Sequence, residues 1–176
     1  AIAMATGKAW FRVPQTIRIN ISGKLPRGSY SKDVVLTVAR EMGAEGANYR
    51  VIEYGGETVK GFNVPARLTL TNMSAEMGAK AAIVAPDDQT RAYLQENDRL
   101  MEFEPLRGDP DANFERVLNF DVSNLKPMIA CPPDIDNDVP VEDVEAERVV
   151  VDQVFIGSCT NCRIEDLEVV YRMWKG

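Results

Sequence analysis

Histidine is absent from the 176 residues, and cysteine occurs only three times, at Cys131, Cys159 and Cys162. Without histidine, the chain has no nucleophile that relies on a Ser–His or Cys–His pair and no metal site built on imidazole. A sparse, odd cysteine set does not read as a secreted disulfide framework, so a reducing compartment, the cytoplasm, is expected. No apolar run approaches the roughly 20 residues that a membrane span needs. No basic segment followed by an apolar stretch reads as a secretion signal. Positive charge is also in short supply: 20 Lys and Arg face 27 Asp and Glu, for a net charge of −7. An acidic surface repels nucleic-acid phosphates and anionic lipid, so neither is an expected partner. Small anionic substrates stay open, because a local basic pocket can sit on an acidic protein.

Hydrophobic residues make up 45% of the chain, enough for a real core. Residues 1–10 read as the tail of a helix. Residues 16–22 (TIRINIS) alternate apolar and polar and predict a strand. Gly23, Pro26 and Gly28 break the chain. A helix follows from Ser31 to Gly43, with Asp33 in its first turn and Val35, Val38 and Met42 at helical spacing. Residues 49–54 predict a second strand. A helix over 65–77 places Ala66, Leu70, Met73 and Met77 on one face, with Asn72 and Glu76 opposite. The plain reading of those two polar residues is helix packing or capping of a neighbouring loop. Residues 81–85 predict a short buried strand, and 88–96 a helix capped by Asp87 or Asp88. Strand–helix alternation of this kind predicts an α/β layered unit with a mainly parallel sheet over residues 1–100. The stretch 101–115, broken by Pro105, Gly108 and Pro110, is a candidate connection.

Residues 116–176 read as the start of a second α/β unit. Within them, 117–122 predicts a strand and the proline-rich 126–140 an extended connection. The acidic 141–147 predicts a short helix, 149–156 (VVVDQVFI) the most hydrophobic strand of the chain, and 163–174 a helix. The chemistry concentrates at 154–167, VFIGSCTNCRIEDL. A strand delivers the chain into a Gly-Ser-Cys-Thr-Asn turn that opens directly into a helix. Unpaired backbone N–H groups and the positive end of the helix dipole gather at such a place. They favour the thiolate of Cys159. A thiolate is the form that a metal or an iron–sulfur cluster requires. A lone cysteine after a strand is more often a small buried apolar residue. Cys159 and Cys162 also form a C-x-x-C pair, which permits a redox couple. A closed zinc site would need two further ligands, and only Cys131 remains.

Residues 157–167 resemble the GSCTN-G-RIEDL signature of the aconitase superfamily, specifically of the large subunits of 3-isopropylmalate dehydratase and homoaconitase. Residues 3–14, 52–54 (IEY), 68–79 (LTLTNMSAEMGA), 83–87 and 125–141 are similar to further segments of that family, so the resemblance covers essentially the whole chain. Cys162 departs from it, since that position is usually glycine in the family. The resemblance implies a three-layer α/β/α unit over 1–100 and the beginning of the cluster-bearing unit over 116–176. It implies that Cys159 is one of three thiolates holding a [4Fe–4S] cluster, with Ser158, Thr160 and Asn161 beside it, and that Glu53 is the active-site glutamate near the labile iron. Without the family, Glu53 reads as a polar residue facing solvent from a half-buried strand. The implied activity is a hydro-lyase that isomerises a hydroxy acid in leucine or related amino-acid biosynthesis, the fourth iron acting as a Lewis acid. A small subunit is the implied partner. With one family-matched ligand and no histidine, the chain by itself is expected to hold no cluster and to be inactive. The competing readings are a thiol redox protein using Cys159 and Cys162, or a non-catalytic binding domain.

Overall fold

The computed structural model describes residues 2–99, 104–158 and 160–175. A short helix, α1 (Ile2–Thr6), precedes strand β1 (Thr16–Ser22). Then come α2 (Ser31–Met42), β2 (Val51–Gly55), α3 (Glu57–Gly61), α4 (Val64–Met73), β3 (Ala81–Val84), α5 (Asp88–Glu96) and β4 (Arg116–Asp121). A small antiparallel hairpin, β5 (Met128–Ala130) and β6 (Asp138–Pro140), is followed by α6 (Val141–Glu145) and α7 (Ile164–Lys175). The four longer-range strands form one all-parallel sheet in the order β3-β2-β1-β4. An α/β class with a mainly parallel sheet is what the alternating pattern predicts.

Period-two alternation divides the sheet into two unlike faces. Ile17, Ile19 and Ile21 of β1, with Ile52 and Tyr54 of β2, point into the core. Val34, Val35 and Val38 of α2 and Leu70 and Met73 of α4 pack against them. Each such aliphatic side chain contributes on the order of 2 kcal/mol by leaving water. Tyr54 Oη lies 2.9 Å from Ser74 Oγ, and burial pushes the phenol well above its ordinary range. The opposite face carries Arg18 and Asn20 of β1, Glu53 of β2 and Asn119 of β4, linked edge to edge. Arg18 Nε donates to Asn20 Oδ1 at 2.8 Å, and Asn20 Nδ2 donates to Asn119 Oδ1 at 3.1 Å.

Several elements differ from the sequence reading, among them β3, expected to be buried but an edge strand with Ala81 and Ile83 exposed. The helix expected over 65–77 ends at Met73 and tightens into a 3₁₀ turn over Ser74–Met77, closed by Gly78 in the left-handed region. Strand β4, read from sequence as opening a second unit, is the edge strand of the first sheet and pairs with β1 along its whole length. Arg50 ties down its entry, donating from Nε and Nη2 to the two Glu115 carboxylate oxygens at 2.9 Å each. The proline-broken stretch before it is therefore a crossover rather than a boundary in the sheet, and a pairing across that distance leaves no local mark in the sequence. The expected strand over 149–156 does not form. A strand forms only by hydrogen bonding to a neighbouring strand, and strands of parallel sheets are normally covered on both faces. Among the described residues none pairs with it, and Val150 and Phe155 are each 84% exposed. Among the described residues, no helix is long and apolar enough to cross a membrane.

Candidate functional site

The turn ahead of α7 is built by its own polar side chains. Gly157 sits at φ 106°, and a Cβ there would come within 2.6 Å of Cys162 Sγ, so only glycine fits. Ser158 N–H donates to the Asn161 carbonyl at 3.0 Å, and Thr160 N–H donates to Ser158 Oγ at 3.3 Å. Arg163 caps the helix: Asp166, three residues on, accepts from its backbone N–H at 3.0 Å, one half of a capping box. The Arg163 guanidinium donates to the Thr160 carbonyl at 2.9 Å. Cys159, the residue on which the sequence reading turns, lies outside the described residues. Its described neighbours Ser158, Thr160 and Asn161 form the two sides of the turn, and Cys162 is exposed with a free thiol.

The turn rests on α4. Thr160 Oγ1 donates to Asn72 Oδ1 at 2.6 Å, and Asn161 Nδ2 donates to Thr69 Oγ1 at 3.3 Å and to Asp166 Oδ1 at 3.3 Å. Asn161 Oδ1 is buried without a partner among the described residues. Asn72 thus serves a neighbouring loop, as its plain reading has it. Thr69, fully buried among α4 residues, carried no signal in the sequence, because its one informative contact comes from 92 residues away.

Glu53 sits elsewhere. It is on the polar face of the sheet, where its carboxylate accepts from Arg18 Nη1. It lines a cavity of about 520 Å³ together with Arg18, Lys60, Arg67 and Asp87, to which Arg107 and Phe114, ahead of β4, also contribute. That volume is within the range of small-molecule sites. The Asp87 carboxyl is held below its ordinary range, chiefly by hydrogen bonds from Arg67. The cavities that touch Asn161 and Asp166 share no lining residue with it. The helix layer that carries the turn packs on one face of the sheet, and Glu53 faces the other.

A four-iron cluster takes several thiolates. Among the described residues no three His, Cys, Asp or Glu side chains come together as a metal-holding group. Cys131 and Cys162 are the described cysteines, and Cys162 is packed on Gly157. The described residues alone do not fit such a cluster.

A family model described as the aconitase family (aconitate hydratase) matches residues 1–176. The large subunit 1 of 3-isopropylmalate dehydratase from Methanopyrus kandleri is 51% identical over 176 residues, which is 100% of this chain and 41% of the relative. The corresponding Thermotoga maritima protein is 42% identical over 173 residues, 98% of the chain and 41% of the relative. A probable methanogen homoaconitase large subunit from Methanosarcina mazei is 43% identical over 172 residues, 98% of the chain and 43% of the relative. The chain therefore spans about two fifths of the length of these curated relatives. The motif at 157–167, the helix carrying Asn72 and a family match along the full length lead to one conclusion: the chain belongs to the aconitase family.

Proposed function

We propose that this chain is part of the large subunit of a hydro-lyase that isomerises a hydroxy acid of the 3-isopropylmalate or homoaconitate type by dehydration and rehydration. The observation that carries the reading is the Gly157–Arg163 turn, fixed at the start of α7 by its own capping residues and bearing the family motif. Cys159 is the proposed thiolate ligand of a [4Fe–4S] cluster, with Ser158, Thr160 and Asn161 shaping the loop around it. The remaining ligands come from parts of the longer polypeptide that this segment does not include. Glu53 is the proposed acid–base residue. Its carboxylate is already desolvated in part and oriented by Arg18, which suits a group that must hold one geometry while exchanging a proton. Support for Glu53 is the family-like segment 52–54 and the Arg18 contact, not proximity to the turn, which lies on the other face of the sheet. We assign residues 1–100 with β4 to one unit, and the segment beyond β4 to the opening of the cluster-bearing unit. The cytoplasm is the proposed location.

Anaerobic reconstitution with iron and sulfide is the direct test. A longer polypeptide containing this segment gains visible absorbance and activity, and Cys159→Ser abolishes both. The 176-residue chain stays colourless and inactive. Unchanged absorbance in the Cys159→Ser protein would sink the ligand assignment. Glu53→Gln in the reconstituted enzyme lowers kcat by about 10²-fold or more with the cluster spectrum intact, as loss of a general acid–base residue does.

A further inference from the structure

We infer that Thr69 and Asn72 of α4 are positioning residues for the turn that follows Gly157, acting through Asn161 and Thr160. The inference rests on reading that turn as ligand-bearing. It goes further, in naming what holds the turn in place from outside its own sequence.

Two kinds of contact fix the turn. The local kind, from Ser158 to Asp166, shapes it, while residues 155–157 ahead of it have no strand partner among the described residues. The distant kind ties it to the sheet. Thr160 Oγ1 donates to Asn72 Oδ1 at 2.6 Å, a short hydrogen bond for a neutral pair. Asn161 Nδ2 reaches Thr69 Oγ1, and that hydroxyl donates back to the Pro65 carbonyl at 3.3 Å, one turn earlier in α4. Thr69 is only 1% exposed and is anchored in a helix that shares the sheet's core, so it offers a rigid point rather than a mobile one. Thr160 and Asn161 follow Cys159 directly in sequence. Holding both their side chains to α4 constrains the backbone at Thr160 and Asn161. Preorganisation of this kind is what a ligand-bearing loop needs, since side chains placed by packed second elements hold their geometry better than loop residues alone.

The test uses amide hydrogen exchange on the 176-residue chain. Asn72→Ala and Thr69→Val each raise exchange at Ser158, Thr160 and Arg163 by about five-fold, the equivalent of one hydrogen bond of about 1 kcal/mol. Exchange at Ile19 and Ile52 in the sheet stays as in the parent. Asn72→Asp keeps the acceptor and Thr69→Ser keeps the hydroxyl, so both restore parental protection. Parental exchange at the turn in both disruptive variants, or failure of Asn72→Asp and Thr69→Ser to restore protection, overturns the inference. The measurement involves no iron, so it can fail while the cluster reading stands, and the reverse.

Discussion

Asp138 is 2% exposed, and neither carboxylate oxygen has a hydrogen-bond partner among the described residues. Burial raises its pKa; Arg40 opposes this and Asp136 adds to it. The folded state therefore binds the proton more tightly than the unfolded state does. Stability at this site is fullest below the ordinary carboxylate range and declines as pH rises through it toward the raised folded value. Asp138→Asn removes the ionisable group while keeping its shape. It is expected to stabilise the protein by on the order of 1 kcal/mol at neutral pH and to have little effect near pH 3. Urea denaturation of both proteins across that range checks it, and an equal difference at every pH counts against it. Gly157→Ala is the converse case. The positive φ and the overlap with Cys162 Sγ both oppose a methyl group, so the turn must shift. The expected outcome is loss of reconstituted cluster absorbance in the longer enzyme, with the sheet's melting transition unchanged. Asp138 and Gly157 differ in legibility. The glycine stands inside a recognisable motif. The carboxylate stands in the proline-rich stretch that reads as an extended connection, and the hairpin packed against α2 buries it.

At the scale of elements, α4 carries more than its amphipathic pattern suggests. Arg67 is 4% exposed and donates to the carbonyls of Phe62 and Lys60 as well as to both Asp87 oxygens, at 2.8 and 2.7 Å. Asp87 also caps α5 through the Thr90 N–H. One side chain thus joins α3, α4 and α5. Arg67→Met is expected to cost about 3 kcal/mol, because it strands two carbonyls and a carboxylate together. Chemical denaturation reads that loss directly, and a cost below about 1 kcal/mol contradicts the accounting. Strands β1, β2 and β3 and helices α2, α5 and α7 were legible because apolar spacing and end signals agree in each. Helix α3 was not, since five residues are too few to show a period. The β5–β6 hairpin was hidden by its prolines, each strand being only three residues long. The link between α4 and the turn was invisible for another reason: sequence patterns report which face a residue occupies, not which distant loop comes to rest on it.

For the whole molecule, the largest departure from the sequence reading is the bare segment 149–156. Val149, Val150, Val151, Val154 and Phe155 are all between 63% and 84% exposed. An apolar run this dense is costly in water and adhesive. The 176-residue chain is therefore expected to bind a hydrophobic dye and to self-associate in sedimentation. Val150→Lys together with Phe155→Lys reduces both, without loss of the sheet's thermal transition. Dye binding that persists in the double variant points to another surface.

Strand β1 pairs with β4 at a sequence separation of 99. During synthesis at the ribosome, the edge of β1 that β4 covers stays open until residue 121 has left the exit tunnel. Until then, the growing polypeptide carries an unpaired row of amides and carbonyls next to a finished α/β half. A nascent chain stalled before residue 116 is therefore expected to aggregate more readily than one released past residue 121.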